Sequence, residues 1–378
     1  MNVLHLLSWF PTPTDPNSGN FCLKHIQSVS DYVNSVVLSC YLDHSLQKNR
    51  KVEVVEYPNF KYVIVHLRPS HSRYINKWKL LQGYNFGLQY VKKHYFWPDL
   101  VHQHVTLPVG KVTFLWHKRY HLPYVLTEHW TIYQPQNRTM MTKRGLKAIQ
   151  RIANHAEIIL PVSEDLQHNM QNYGIHAPFR VIYNVVDTQR FTPNHKNQDG
   201  KKHILHISTL RDEAKNFSGI LHVIKQLTQQ RQDFVLDVVH DYHRPEFEKF
   251  VSDNHLENYI HFHGSKTESE IVEYYQNADF FLLFSNFENL PCVLVESFAC
   301  GLPVITTDVG GICEIVDESR GRILHARDEA ALLDALHFML DQHQNYNRAD
   351  IRQYAETHFS KPVIGTQLSE VYHTVLKR

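Results

Sequence analysis

The stretch 279–316, DFFLLFSNFENLPCVLVESFACGLPVITTDVGGICEIV, constrains the fold more than any other part of this chain. It reads as strand, loop, helix, strand, loop, helix. Pro291 is placed to open the first helix, where a missing N–H costs nothing because that donor has no intrahelical partner. Glu288 stands where the first turn begins, and Glu296 lies further along the helix. The amides of such a turn point outward with partial positive charge behind them, a ready place for a phosphate. Two carboxylates beside them can accept hydroxyls. Phosphate donors and hydroxyl acceptors on one element suit a nucleotide sugar.

The same alternation runs through the whole chain. Strands are expected at 3–7, 35–39, 62–66, 100–104, 124–128 and 158–161, then at 203–208, 235–239, 260–263, 280–284 and 304–307. Helical stretches lie between them, among them 20–33, 78–94, 142–154, 217–230 and 328–342. Alternating strands and helices predict parallel sheets covered on both faces. The pattern occurs twice, and 378 residues exceed the comfortable size of one core, so two doubly wound domains are expected. Asn184-Val185-Val186-Asp187 and the polar run TPNHKNQDGKK mark the boundary. The expected domains are 1–186 and 187–360, with a last helix in 361–378 returning to the first domain. The first strand leads through Trp9-Phe10-Pro11 into a turn-rich loop ending Ser18-Gly19-Asn20-Phe21. Gly19 would open a helix there, a second anion-friendly terminus.

Composition excludes several classes. An apolar share of 43% and a charged share of 20% are those of a globular protein. No apolar run approaches the ~20 residues needed to cross a bilayer, and MNVLHLLSWF reads as a buried strand, not a signal peptide. Five scattered cysteines without Cys-x-x-Cys spacing indicate reduced thiols and a cytoplasmic setting. No Gly-x-Gly-x-x-Gly follows a strand, so the dinucleotide fingerprint is absent. Basic residues are not interleaved with a nucleic-acid reading motif. The net charge is +1, yet basic residues prevail up to Arg190 and acidic ones after it. Either the first half faces something anionic, or the two halves attract each other. His102/His104 and His261/His263 stand two apart, which puts each pair on one face of a strand. No carboxylate or cysteine joins them at ligand spacing, so structural histidines are expected and no metal site.

Ser285, Glu288, Pro291, Glu296, Gly301, Pro303, Gly310, Gly311 and Glu314 stand at a recognisable spacing. Glu288-x7-Glu296 followed by Ala299-Cys300-Gly301-Leu302-Pro303-Val304 resembles glycosyltransferase family 4, the retaining GT-B enzymes. The resemblance extends to Gly19, Thr127-Glu128-His129, Pro161-Val162-Ser163, residues 181–187, Ser208-Thr209-Leu210-Arg211 and Lys215. It implies two Rossmann-like domains whose parallel sheets face a central cleft. It implies that Glu296 holds the ribose hydroxyls and Glu288 the donor sugar, with Asn289 and Leu290 beside them. Arg211 and Lys215 would neutralise the diphosphate leaving group, a UDP or GDP, from the end of a strand, where doubly wound sheets bind ligands. His129 would line the cleft near sugar and acceptor, and Gly19 and Asn20 would let the backbone approach the diphosphate. The family often has two glycines where this chain has Ser18-Gly19. No Asp-x-Asp occurs, so neither a divalent metal nor another cofactor is expected.

The resemblance thus implies transfer of a sugar, with retention, to a glycan or lipid-linked acceptor in cell-surface polysaccharide or glycoconjugate synthesis. A catalytically silent nucleotide-sugar-binding subunit and a nucleotide-sugar epimerase of the same fold are the competing readings. The basic stretch 138–151, with Met141, Leu146, Ile149 and Ile152, and the stretch 68–79, with Tyr74 and Trp78, suit either an anionic inner-membrane surface or a solvated face.

Overall fold

The computed structural model describes residues 1–10, 19–194 and 200–377. The expected loop from Pro11 to Ser18 and the middle of the polar run at 195–199 lie outside the described residues. The chain groups into two compact units. One comprises residues 1–162, 167–183 and 361–378, the other 163–166 and 184–360. The sequence boundary at 186/187 thus differs from the contact grouping by a few residues. Asn184 donates its side-chain amide to the Leu290 carbonyl at 2.6 Å, and the Val186 amide donates to Phe359 at 2.9 Å, which ties both to the second unit.

In chain order the first unit begins β1 (Asn2–Leu7), α1 (Asn20–Val29), β2 (Asn34–Leu42), β3 (Arg50–Glu56), β4 (Phe60–Leu67) and α2 (Arg73–His94). It continues with β5 (Leu100–His104), α3 (Gly110–Tyr120), β6 (Tyr124–Glu128), α4 (Lys143–Ala153) and β7 (Ile158–Pro161), after which comes α5 (Glu164–Asn172). The strand order is β3-β4-β2-β1-β5-β6-β7. Every neighbouring pair is parallel except β3 with β4. The first sheet is thus parallel, as expected, with one antiparallel edge strand, β3. The cause is local: only residues 57–59 separate β3 from β4, and so short a turn can join strands only antiparallel.

The second unit runs β8 (Lys202–Ser208), α6 (Asp212–Lys215), α7 (Phe217–Leu227), β9 (Phe234–His240), α8 (Pro245–Asp253), β10 (Ile260–Phe262) and α9 (Glu268–Asn277). Then come β11 (Phe280–Leu283), α10 (Cys292–Ala299), β12 (Val304–Thr307), β13 (Gly321–Leu324), α11 (Glu329–Gln342) and α12 (Arg348–Phe359). The last helix, α13 (Lys361–Leu376), belongs to the first unit and packs on α1. There Gly365 meets the Ser28 carbonyl so closely that a Cβ would collide with it. The second sheet is parallel throughout, in the order β10-β9-β8-β11-β12-β13. One face, carrying Ile204, Leu236, Val238, Ile260, Phe280 and Leu282, is buried with residues of α7 and α11 such as Ile224 and Leu336.

Both units are Rossmann-like. In each, the chain starts at a central strand, builds outward on one side, then returns to build on the other. The reversal leaves a crevice at the carboxyl ends of two neighbouring strands, β1/β5 in the first unit and β8/β11 in the second.

Candidate functional site

The residues after β8 and β11 meet at the second unit's reversal point. From β8 the chain passes Leu210, held at φ 51°, and Arg211 into the single turn α6. From β11 it passes Ser285 to Leu290 and enters α10 after Pro291. The two loops are tied by backbone: the Asn286 amide donates to the Ala214 carbonyl at 2.7 Å. Across this tie the Lys215 ammonium forms an ion pair with Glu288 Oε1. The same oxygen accepts the Ser285 hydroxyl at 2.8 Å. Both charged side chains are mostly shielded, with 17% and 10% of their surface exposed.

Supports beneath Glu288 come from every side. Thr307 Oγ1 donates to the Ser285 carbonyl at 2.7 Å. Gly310, at φ 58°, packs so tightly on the Glu288 carbonyl that any Cβ would overlap it, and the Gly311 amide donates to the Asn289 carbonyl at 2.7 Å. Asn184 holds the Leu290 carbonyl. His206, buried beneath the β8 end, bonds Ser208 Oγ at 2.8 Å, and burial lowers it to about 4, so the ring is neutral. Eight positions on from Glu288, Glu296 is buried in α10 and accepts the Tyr275 hydroxyl at 3.0 Å on Oε2. Burial first, and the Glu296 charge second, hold the Tyr275 phenol well above its ordinary range, so it remains a donor. The Cys300 thiol is pushed up to about 12 by burial and by the same carboxylate.

The structure brings Lys215 and Glu288 together, and Asn289 and Leu290 follow in the same supported loop. It does not hold the two cations alike: Arg211 is exposed while Lys215 is paired. In the first unit, Gly19, Asn20 and His129 gather at the ends of β1 and β6. Gly19, at φ 69°, lies where a Cβ would come within 2.5–2.7 Å of the Trp9 carbonyl and the Phe10 nitrogen. Its own carbonyl accepts the Cys22 and Leu23 amides and so starts α1, of which Asn20 is the first residue. The His129 ring packs on Phe21 at 4.4 Å and His25 at 5.1 Å.

Two further residues support these groups, and one of them, Tyr275, carries no sequence signal of its own. Tyr275 comes from α9 to reach Glu296. Glu128 is fully buried and accepts the His129 and Trp130 amides on one oxygen and the Thr106 amide on the other, each at 2.9 Å. Burial raises the Glu128 carboxyl against the pull of these donors. The carboxylate thereby fixes the backbone that presents His129.

His102 and His104 lie buried side by side at the end of β5. Their rings stack at 4.0 Å, and His102 uses both nitrogens, toward the Tyr372 hydroxyl at 2.5 Å and Thr127 Oγ1 at 2.7 Å. Burial pushes His102 and His104 far below the ordinary imidazole range, and neighbouring His5 to about 3.

Solved structures with this architecture include a sucrose-phosphate synthase from Thermosynechococcus elongatus, with a TM-score of 0.81 and 17% identity over all of both chains. Another is Anabaena HepE in complex with UDP and glucose, with a TM-score of 0.76 and 17% identity over 99% of this chain and 100% of that one. The fold is that of the GT-B glycosyltransferases. Residues 187–358 match the family model for glycosyl transferases group 1, and residues 36–190 match that for Glycosyltransferase Family 4. The two matches together span most of the chain, which belongs to this glycosyltransferase family. Among its relatives, a putative teichuronic acid biosynthesis glycosyltransferase of Bacillus subtilis is 24% identical over 358 residues, 89% of this chain and 88% of that protein. An amylovoran biosynthesis glycosyltransferase of Erwinia amylovora is 26% identical over 242 residues, 60% of this chain and 58% of that protein.

Proposed function

We propose that this glycosyltransferase moves a sugar from a UDP- or GDP-linked donor to a glycan or lipid-linked acceptor in cell-surface polysaccharide synthesis, retaining the anomeric configuration and needing no divalent metal. The observation that carries the reading is the shielded Lys215–Glu288 pair at the reversal point of the second sheet, in the loop that leads into the helix bearing Glu296. The UDP named in the HepE structure and the polysaccharides named for the relatives support the donor class and the pathway.

In this reading Glu296 accepts the ribose hydroxyls and Glu288 a hydroxyl of the donor sugar. Lys215 and Arg211 offset the charge that grows on the diphosphate as the sugar–phosphate bond breaks. Such fixed charges act in a shielded place and need no reorganisation during the reaction. The acceptor hydroxyl attacks from the face the leaving group vacates, and a departing phosphate oxygen takes its proton. Positioning and charge stabilisation suffice for that step.

Substituting Lys215→Met is expected to lower kcat by roughly 10²–10³-fold, the usual cost of one donor to a developing anion. Glu296→Gln is expected to weaken donor binding first. Product NMR should show the donor's own anomeric configuration. An inverted linkage would sink the mechanism, and full activity in Lys215→Met would sink the site.

Docking on an anionic membrane surface is part of the same reading. No helix among the described residues is long and apolar enough to cross a membrane. The apolar side of α4 is spent internally: Ile149 and Ile152 are each 2% exposed, and only the basic side with Lys143, Arg144 and Lys147 faces solvent. The start of α2 differs. Tyr74 and Trp78 are 68% and 61% exposed, each next in the chain to an exposed cation, Arg73 and Lys77. Aromatic rings beside cations suit a headgroup layer. Sedimentation with anionic liposomes should capture the protein in a salt-sensitive way, and a Tyr74→Ala/Trp78→Ala pair should lose most of it at unchanged Tm. Equal capture by neutral liposomes would refute this docking.

A further inference from the structure

We propose that Asp237, His261 and His263 form a binding site for a zinc-type divalent transition metal on the second unit's sheet, separate from the Lys215–Glu288 group. Sequence spacing joined no carboxylate to the histidine pair, but the fold does. His261 and His263 project from the same side of the edge strand β10 and its end, and the parallel register sets Asp237 of β9 opposite His261. His263 Nε2 lies 2.7 Å from Asp237 Oδ1, and His261 Nδ1 lies 3.9 Å from the same oxygen. One ligand atom from each of the three lies within 4.8 Å of the others. Ligands about 2.1 Å from a tetrahedral zinc ion stand about 3.4 Å apart. The observed separations bracket that value, so small side-chain rotations close the site.

Three further observations point to a ligand set. The first is the position of the carboxylate. β9 reads Phe-Val-Leu-Asp-Val-Val-His, and an acid in the middle of an apolar strand is costly unless its charge is met. The second is an outer support. His203 Nδ1 lies 2.8 Å from the other carboxylate oxygen, Oδ2, and fixes the orientation of the acid. Partners of this kind set ligand geometry in metal sites. The third is graded access. Side-chain exposure rises from 15% at Asp237 to 26% at His263 and 46% at His261, which gives an ion a path from solvent. The Tyr274 ring of α9 closes the other side of His263 at 4.7 Å. Two imidazoles, one carboxylate and an open position match the preferences of zinc and cobalt, not of magnesium or calcium.

The test uses the full-length protein, free of any affinity tag and stripped with chelator. Titration with Co²⁺ should give one equivalent with visible d–d absorption, displaced by Zn²⁺. A His261→Ala/His263→Ala pair should weaken that equivalent at least tenfold. His203→Gln, which removes only the outer support, should weaken it roughly 10–100-fold. The metal-free Tm of each variant checks folding, and His261→Asn, at the most exposed ligand, repeats the test with the least structural change. Unchanged cobalt binding in the histidine variants would overturn the proposal. So would a thiolate-to-cobalt charge-transfer band abolished by Cys22→Ser, which would move the ion to Cys22, His104 and His129, whose ligand atoms also lie within 4.8 Å of one another.

Discussion

Glu288 Oε1 is shared by an ammonium and a hydroxyl, and Glu296 Oε2 is held by a phenol. The two carboxylates of the Glu-x7-Glu pattern therefore sit in different surroundings, although the sequence writes them alike. Removing Lys215 leaves a shielded carboxylate without its cation, a change that typically costs about 3–5 kcal/mol for a fully buried pair and less here, where both side chains keep some exposure. Tyr275→Phe is a milder probe. It deletes the hydroxyl that orients Glu296 and lies 3.2 Å from the Val293 carbonyl. We expect a stability loss of about 1 kcal/mol by denaturant titration, and a severalfold rise in donor Kd with little change in kcat. An unaltered Kd would show that Glu296 needs no such partner. Tyr275 was not legible beforehand, because nothing in a helix 21 residues upstream announces which carboxylate its ring will meet.

At the scale of elements, the loop entering α10 owes its shape to contacts from other strands. Gly310 follows β12, yet it determines how closely the chain can lie against Glu288. An alanine there must adopt a left-handed backbone, worth roughly 1–2 kcal/mol against it, and must also push the Glu288 carbonyl aside. Gly310→Ala should therefore lose far more activity than its Tm shift accounts for. Gly365→Ala, which strikes the α1–α13 packing, should lower Tm instead. If both variants lost activity only in proportion to stability, the loop argument would fail. The strands that escaped the sequence reading share a cause. β3 and β13 are edge strands, half exposed, with charged residues that blur the apolar runs. For α9 the signal was present in Thr267-Glu268-Ser269-Glu270, which forms a full capping box.

Across the whole molecule, the buried histidines set a pH dependence. Burial lowers His5, His25, His102, His104 and His206 below their ordinary value of 6.5. In the unfolded chain each regains that value, so below pH 6.5 the unfolded state binds more protons than the native one. Stability then rises with pH up to about 6.5 and falls as the pH drops beneath it, by up to about 1.4 kcal/mol per pH unit for each ring. Tm should be nearly level from pH 7 to 8 and should drop steeply between pH 6.5 and 5. A flat profile there would show that these rings are charged in the native state.

By itself the sequence determined the repeating strand–helix order, and with it two parallel-sheet units and the family pattern around Glu288 and Glu296. These are local properties, because apolar periodicity and helix-opening residues act within a few positions along the chain. Tertiary structure alone decided that Lys215 would reach Glu288 across 73 positions and that Asp237 would join His261 and His263. It also decided that the basic helix α4 would spend its apolar side in the core. Each depends on which strands become neighbours, and strand order follows from how whole elements pack, which no short window of residues encodes.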